Sequence, residues 1–397
     1  MAAYRALVGV TRCGDPNDFE TVLEATGEVL DLIGGIRSIV SAGDIVLIKP
    51  NVGFKKNHLT GATTNINVVK ALSTIIKGVG ARKIIIAEGA IVGTSTRDTF
   101  QANGYYDIAG ELGVELLDLK TAEMVAVPVP CGKAFHRLHV PRAILEADVV
   151  VNVPVMKTHD ALPVTLGLKN MKGIIREQDK KRFHKWGLSQ AIVDLNKVAY
   201  PDLTVLDGTI GMEGLGPAHG EPANLGVMLA STDTVAADAI GSLVMGIDPG
   251  EVEYIGLADA QGLGCGDPDE INVAGVPVSE VARKVKRHTL DFSDLIAKDI
   301  HVYESGSCSG CRHFMETFIS NLERTGELGL LVGNTIVFGQ TASMPQRGEI
   351  RGKLILVGRC VKDVAAAARS GQPAPEVIYI PGCPPHGQDV KAMLKPR

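Results

Sequence analysis

Apolar positions along this chain fall into two alternating rhythms: short runs rich in β-branched residues, and longer stretches with apolar residues three and four apart. That alternation is what parallel strands joined by crossover helices require. Residues 44–48 (DIVLI) read as a buried strand running into Lys49-Pro50-Asn51. Ile66, Val69, Leu72, Ile75 and Ile76 then keep helical spacing, and residues 83–87 form the next strand, ending at Glu88-Gly89. Further strands are expected at 114–119, 148–153, 203–206 and 225–229, with a helix starting near Thr232. Residues 1–285 therefore read as one large α/β domain on a mixed or parallel sheet.

The rhythm breaks over residues 279–299 (SEVARKVKRHTLDFSDLIAKD), where charge replaces apolar periodicity, and 286–298 are read as a linker or connecting helix. A second, smaller α/β pattern of flavodoxin-like type follows over 299–397. Its strands are expected at 300–303, 335–338, 354–357 and 377–380, and its helices at 312–324 and 361–369.

Composition changes this picture in three ways. Forty Lys and Arg against forty-five Asp and Glu lack the basic excess that phosphate backbones demand, which argues against nucleic acid as a partner. The opening MAAYRALVGVTRCGD has no charged-then-apolar leader pattern, and no apolar run approaches the roughly 18 residues that span a bilayer. The expectation is a cytoplasmic protein without membrane insertion. Seven cysteines, an odd number in a long chain, point to free thiols or metal ligands rather than a disulfide scaffold.

Four of these cysteines follow strands of the smaller domain. Cys308 and Cys311 come after 300–303, Cys360 after 354–357, and Cys383 after 377–380. Ligands gather at the carboxyl ends of strands in open α/β sheets, because loops converge there and helix N-termini point their N–H groups inward. A C-x-x-C pair can supply two thiolates to one centre while the other two ligands are remote in sequence. Gly306, Gly310, Gly358 and Gly382 permit close backbone approach, and Pro384 and Pro385 stiffen the last loop. A four-iron four-sulfur ([4Fe-4S]) cluster, a closed zinc site, a thioredoxin-like dithiol at Cys308 and Cys311, or four buried structural thiols all satisfy the spacing. Cys13, Cys131 and Cys265 have no partner at metal-site spacing.

CSGCRHFMETF, GRC and PGCPPHGQDVKAML together resemble the proximal-cluster module of hydrogenase small subunits and of the related complex I quinone-reductase subunit. The resemblance covers roughly the last quarter of the chain. It implies that Cys308, Cys311, Cys360 and Cys383 ligate one [4Fe-4S] cluster, and that a redox partner protein docks nearby. The chain carries His386-Gly387-Gln388 where that family has a basic and then an acidic residue. The larger part resembles the family catalogued as domain of unknown function 362, through VLIKPN (46–51), PVMKTHDALPVTLGLKNMKGII (154–175) and LDGTIGMEGLGPAHG (206–220). That likeness implies an association with iron-sulfur modules and supplies no reaction.

Polar residues recur at the strand ends of the larger domain: Lys49 and Asn51, Glu88, Lys157 and His159, Asp207, then Lys169, Asn170 and Lys172. Several lysines with few acids suit a small anionic substrate, since ammonium groups bind carboxylate or phosphate as point charges. Lys157, His159 and Asp207 are the candidate catalytic residues, with Asp207 or Glu88 orienting the base. Lys49, Asn51, Glu88, Lys169, Asn170 and Lys172 are the candidate substrate contacts. The glycines at 208, 211, 214 and 216 make a turn or a phosphate cradle but match neither Rossmann nor P-loop spacing. His184, His219 and Trp186 carry less weight.

Three functions fit. One is an oxidoreductase passing electrons between the cluster and a substrate in the larger domain. The second is an electron-transfer or assembly subunit docked on a larger enzyme. The third is a non-redox isomerase or lyase using Lys157 and His159 beside a structural metal. A homo-oligomer is compatible with each.

Overall fold

The computed structural model describes residues 5–159, 162–287, 291–370, 375–383, 385 and 387–394. The chain divides into two compact units, Met1–His288 and Thr289–Arg397. Pro384 and His386 lie outside the described residues.

The larger unit contains β1 (Ala6–Arg12), β2 (Ile45–Pro50), β3 (Lys83–Glu88), β4 (Glu115–Asp118), β5 (Met124–Pro128), β6 (Arg137–Pro141) and β7 (Val149–Val153). β8 (Val155–Thr158), β9 (Val164–Thr165), β10 (Leu203–Glu213), β11 (Glu221–Ala223), β12 (Val227–Ser231) and β13 (Ile271–Gly275) follow. The described residues form a mixed sheet in the order β13-β1-β12-β10-β7-β2-β3-β4, with β8, β9 and β11 branching from β10. The half from β10 to β4 is parallel, as the strand-helix rhythm predicts, whereas β12 lies antiparallel to both β10 and β1. Both faces are covered. Leu47, Ile85 and Val150 point into one apolar core, and Val46, Ile48, Ile84, Ile86, Val149 and Val151 into the other. Burial on both faces is why these strands read as continuous β-branched runs.

β10 corrects one expectation. Gly208 and Gly211 form no turn or cradle, because they sit inside a strand buried along its whole length. A Cβ at Gly208 would come within 2.7 Å of Met156 Sδ, and one at Gly211 within 2.6 Å of the Met156 carbonyl. Glycine is needed there because β8 packs on the strand, which a loop reading of the same letters does not convey.

The smaller unit is a parallel sheet, β14 (Ile300–Glu304), β15 (Asn334–Phe338), β16 (Leu354–Val357) and β17 (Val377–Ile380), in chain order. The helices Ser309–Arg324 and Gly387–Leu394 share one core with Ile336, Phe338, Ile355 and Val357. Helix Lys362–Ser370 packs with Val337, Leu354 and Leu356 in the other, giving helices on both faces. The charged stretch expected to connect the units is divided between them. Val285 is buried in the larger core, and Leu295, on the 3-10 helix Phe292–Lys298, in the smaller. Among the described residues no helix is long and apolar enough to cross a membrane.

Candidate functional site

β2, β3 and β8 deliver Lys49, Glu88 and Lys157 to the carboxyl-end rim of the parallel half. Lys49 Nζ lies 2.9 Å from Glu88 Oε2, at 0% and 2% exposure, and also donates to the Pro50 carbonyl at 3.0 Å and Asn170 Oδ1 at 3.3 Å. Glu88 accepts two backbone N–H groups as well, from Val52 at 3.1 Å and Gly89 at 2.7 Å. A buried pair is tolerable only when its remaining hydrogen-bonding capacity is met, and here it is. Gly173 lets its segment close over the pair, since a Cβ there would be 2.5 Å from Glu88 Oε1 and 2.7 Å from Lys49 Nζ.

Asn170 ties the pair to Lys157. Its Oδ1 also accepts Asn51 Nδ2 at 2.9 Å, and Asn51 Oδ1 accepts Lys157 Nζ at 2.6 Å. Lys157, 1% exposed, further donates to the Ala62 carbonyl at 2.8 Å and stands 5.6 Å from the Phe54 ring centroid. Burial pushes its ammonium well below the usual lysine range, and the charges of Lys169, Lys49 and Lys56 push the same way against Glu88. Burial also lowers Lys49, opposed by Glu88. Four lysines thus bear on a spot with one opposing carboxylate, a field that favours an anion.

Six of the nine residues expected at this rim are therefore brought together: Lys49, Asn51, Glu88, Lys157, Lys169 and Asn170. Asp207 is not among them. Its carboxylate accepts the Asn65 N–H at 2.6 Å, and the Thr209 N–H at 3.0 Å and hydroxyl at 2.7 Å, so it braces the start of helix Ile66–Val79 instead of orienting Lys157 or His159. Lys172 sits 2.7 Å from His184 Nε2, beside the Phe183 ring. His159 is half-buried just beyond β8. Trp186 packs on Phe135, with Arg182 over its ring at 4.3 Å.

Lys180 and Asn152 belong to the same environment and carried no sequence signal. Lys180 lies in the charged run EQDKKRFHK, which reads as a solvated helix, yet its Nζ donates to the Gly89 and Ala90 carbonyls at 2.9 and 3.1 Å. Asn152 accepts Asn170 Nδ2 at 2.8 Å from inside β7.

Burial lowers Lys180 to about 8. Above that pH the folded protein sheds a proton that the unfolded chain keeps, so stability rises with pH through this range. Unfolding by denaturant is expected to shift to higher midpoints from pH 8 to about pH 9.5, and Lys180→Met to flatten the rise. Lys49 and Lys157, also lowered by burial, act in the same direction, whereas Cys13, raised to about 11, and buried Tyr105 and Tyr254 oppose it where thiols and tyrosines of the unfolded chain ionise.

In the smaller unit Cys308 caps helix Ser309–Arg324, and Cys311 lies in its first turn. The Cys308 thiol is drawn down to about 6, first by a hydrogen bond with the Cys311 thiol and then by backbone N–H groups at the helix start. The Cys311 thiol is pushed up by that hydrogen bond, by burial, and by the charges of Cys308, Cys383 and Cys360. Backbone bonds bring the loops together. Gly358 N–H donates to the Ile380 carbonyl at 2.9 Å, and Arg359 N–H to the Gly382 carbonyl at 2.7 Å. A Cβ at Gly358 would lie 3.7 Å from Cys311 Sγ. Among the described residues no three His, Cys, Asp or Glu side chains are grouped as a metal ion would need. Cys13 and Cys265 are buried, and Cys131 is exposed, outside this group.

Residues 46–242 match the family described as Domain of unknown function (DUF362). The match spans all three motifs on which that resemblance rests, so the resemblance is borne out. A thylakoid-associated protein of Synechocystis sp. is 27% identical over 249 residues, covering 61% of this chain and 76% of the relative. A lactate racemase apoprotein from Thermoanaerobacterium thermosaccharolyticum superposes with a TM-score of 0.40 at 13% identity. That superposition covers 62% of this chain and 58% of the other, less than two thirds of its length, and carries no functional argument.

Proposed function

We propose that this chain, whose larger domain matches a family of unknown function, is an iron-sulfur redox protein that acts on a small anionic substrate. What supports the reading is that the four cysteines follow three strands of one parallel sheet, with the loops of Cys360 and Cys383 tied by backbone bonds and the backbone at Gly358 close to Cys311. Cys308, Cys311, Cys360 and Cys383 would hold a [4Fe-4S] cluster, whose chemistry is one-electron transfer. The donor set fits: thiolate ligands only, one of them acidified at a helix N-terminus, with glycine backbone close to another. Iron-sulfur sites are built from cysteine thiolates of this kind.

The anion would be taken up by the larger domain. Lys49 and Glu88 fix Asn170, Asn170 fixes Asn51, and Asn51 holds Lys157. Lys56 and Lys169 add positive field, and Lys157, kept acidic by burial and by these neighbours, is the group suited to exchange a proton with a bound acid. Docking on a partner redox protein is the second reading, which the sequence likeness of the cysteine motifs favours.

Anaerobic purification of the full chain with iron and sulfide analysis and visible spectra tests the cluster. Roughly four irons and four sulfides per chain are expected. One zinc per chain in a colourless solution would sink the redox reading. The anion site is tested by calorimetric titration with inorganic phosphate and with acetate. Lys169→Met, which leaves the buried network in place, is expected to weaken binding roughly tenfold or more, as losing one charged contact does. Unchanged affinity for both anions would remove the pocket from the proposal.

A further inference from the structure

β10 and β11 form a hairpin whose connecting segment, residues 214–220 (GLGPAHG), lies against the lysine rim. The strands hold both of its ends, with Gly211 opposite Ala223, Met212 opposite Pro222 and Glu213 opposite Glu221. Between those ends the segment folds back over the end of β8. Gly216 permits the approach, since a Cβ there would be 2.0 Å from the Thr158 carbonyl oxygen. Gly214 permits the turn, because its φ of 74° is one that residues with a side chain rarely adopt.

Backbone groups fasten the segment. Thr158 Oγ1 donates to the Gly214 carbonyl at 3.0 Å, and the Gly214 N–H donates to the Lys286 carbonyl at 2.8 Å. Further along, the Ala218 carbonyl accepts Lys56 Nζ, and the Pro217 carbonyl stands 3.5 Å from Lys157 Nζ. Leu215, Pro217 and Ala218 are only half-buried and His219 is exposed, so little apolar burial opposes displacement.

The Lys157 contact is the informative one. An ammonium has three donors. Two are spent on Asn51 Oδ1 at 2.6 Å and the Ala62 carbonyl at 2.8 Å, while the acceptor left for the third is the Pro217 carbonyl, at the outer limit of hydrogen bonding. A neutral carbonyl at that distance compensates the charge weakly, whereas a carboxylate or phosphate oxygen makes the stronger, charge-assisted bond. Lys56 faces the neighbouring carbonyl of the same segment.

From this geometry we infer that residues 214–220 are a gate on the lysine rim, in which the Pro217 and Ala218 carbonyls hold the place of an anion's oxygens and a bound anion displaces them from Lys157 and Lys56. The inference rests on the anion reading and adds how that site is regulated. Lys157 is 1% exposed, and the group covering its third donor is the gate itself. Opening exchanges a neutral acceptor for a charged one, so it is favoured only when the anion is present. The paired strands keep the hairpin in register while the segment moves.

Hydrogen exchange on the full chain, with and without inorganic phosphate, reads the gate directly. Saturating phosphate is expected to speed exchange at Leu215, Gly216, Ala218 and His219 by roughly threefold or more, with β10 and β11 unchanged. Gly216→Ala, whose methyl group meets the Thr158 carbonyl when the segment is seated, should hold the gate open. Phosphate should then bind roughly threefold tighter or better in calorimetry, because a closed population no longer lowers the apparent affinity. Lys157 should also be acetylated by acetic anhydride roughly tenfold faster, read by mass spectrometry, since an uncovered lysine of lowered pKa is nucleophilic. Slower exchange with phosphate would mean a lid that closes over the anion, and weaker binding by Gly216→Ala would mean a wall of the site. Either result overturns the gate, as does Lys157 acetylation no faster in the variant than in the parent. Phosphate that binds parent and variant alike, with exchange unchanged, defeats the gate and leaves the anion reading standing. No phosphate binding by either defeats the anion reading, and the gate falls with it.

Discussion

Lys49→Met is expected to cost about 3–5 kcal/mol of folding stability, because it strands a buried carboxylate. Glu88 is 2% exposed, and among the described residues the only side-chain cation bonded to it is Lys49. Removing that cation leaves the Val52 and Gly89 N–H groups to hold the charge alone. The same change frees Asn170 Oδ1 from one of its two donors, so Asn51 and Lys157 should loosen with it. Denaturant unfolding measures the cost, and the double variant Lys49→Met with Glu88→Gln separates its parts. If stranded charge dominates, the double variant recovers most of the loss, since a neutral amide is cheaper to bury than a lone carboxylate. A single variant within about 1 kcal/mol of the parent would mean that the pair is not the keystone of this rim.

Cys311→Ser is expected to take the chain from roughly four irons and four sulfides to none, with loss of visible absorption. Cys311 is hydrogen-bonded to the Cys308 thiol, and the backbone at Gly358 runs against it. A serine hydroxyl at that point is a poorer ligand for iron than a thiolate, and the loops of Cys360 and Cys383 remain tied to each other by backbone bonds whether or not iron is bound. The fold of the smaller unit should therefore survive, which circular dichroism can show on the same sample. Cys13→Ser serves as the control. Cys13 is buried in the larger unit and raised by burial to about 11, so its loss should leave iron content unchanged. Retention of four irons by Cys311→Ser would refute the ligand assignment outright.

The two predictions lie in different units, and each can fail alone. Collapse of the iron result would leave a lysine-rich rim able to bind anions without redox chemistry. Loss of the rim would leave an iron-sulfur module whose role is to hand electrons to another protein.

What the residue order determined by itself was local. The β-branched runs at β2, β3, β7, β15 and β16 are legible because a strand covered on both faces must be apolar at successive positions. The helix Ile66–Val79 is legible for the complementary reason, its buried residues falling three and four apart. Lys49, Glu88 and Lys157 could be named as rim residues because a polar side chain at the end of an apolar run has few places to go.

Only the tertiary structure decided which of those polar groups meet. The antiparallel placement of β12 against β10 and β1 has no local signature, since strand direction is a relation between distant segments. Asp207 ends a strand-like run just as Lys157 does, but the N-terminus of helix Ile66–Val79 reaches it first and takes its oxygens. Lys180 was hidden in a charged helix, and Asn152 in an apolar strand, because each became part of the rim through partners about 90 and 18 residues away. Periodicity reports whether a side chain is buried. What it is buried against depends on contacts between segments far apart in the chain, and those exist only after folding.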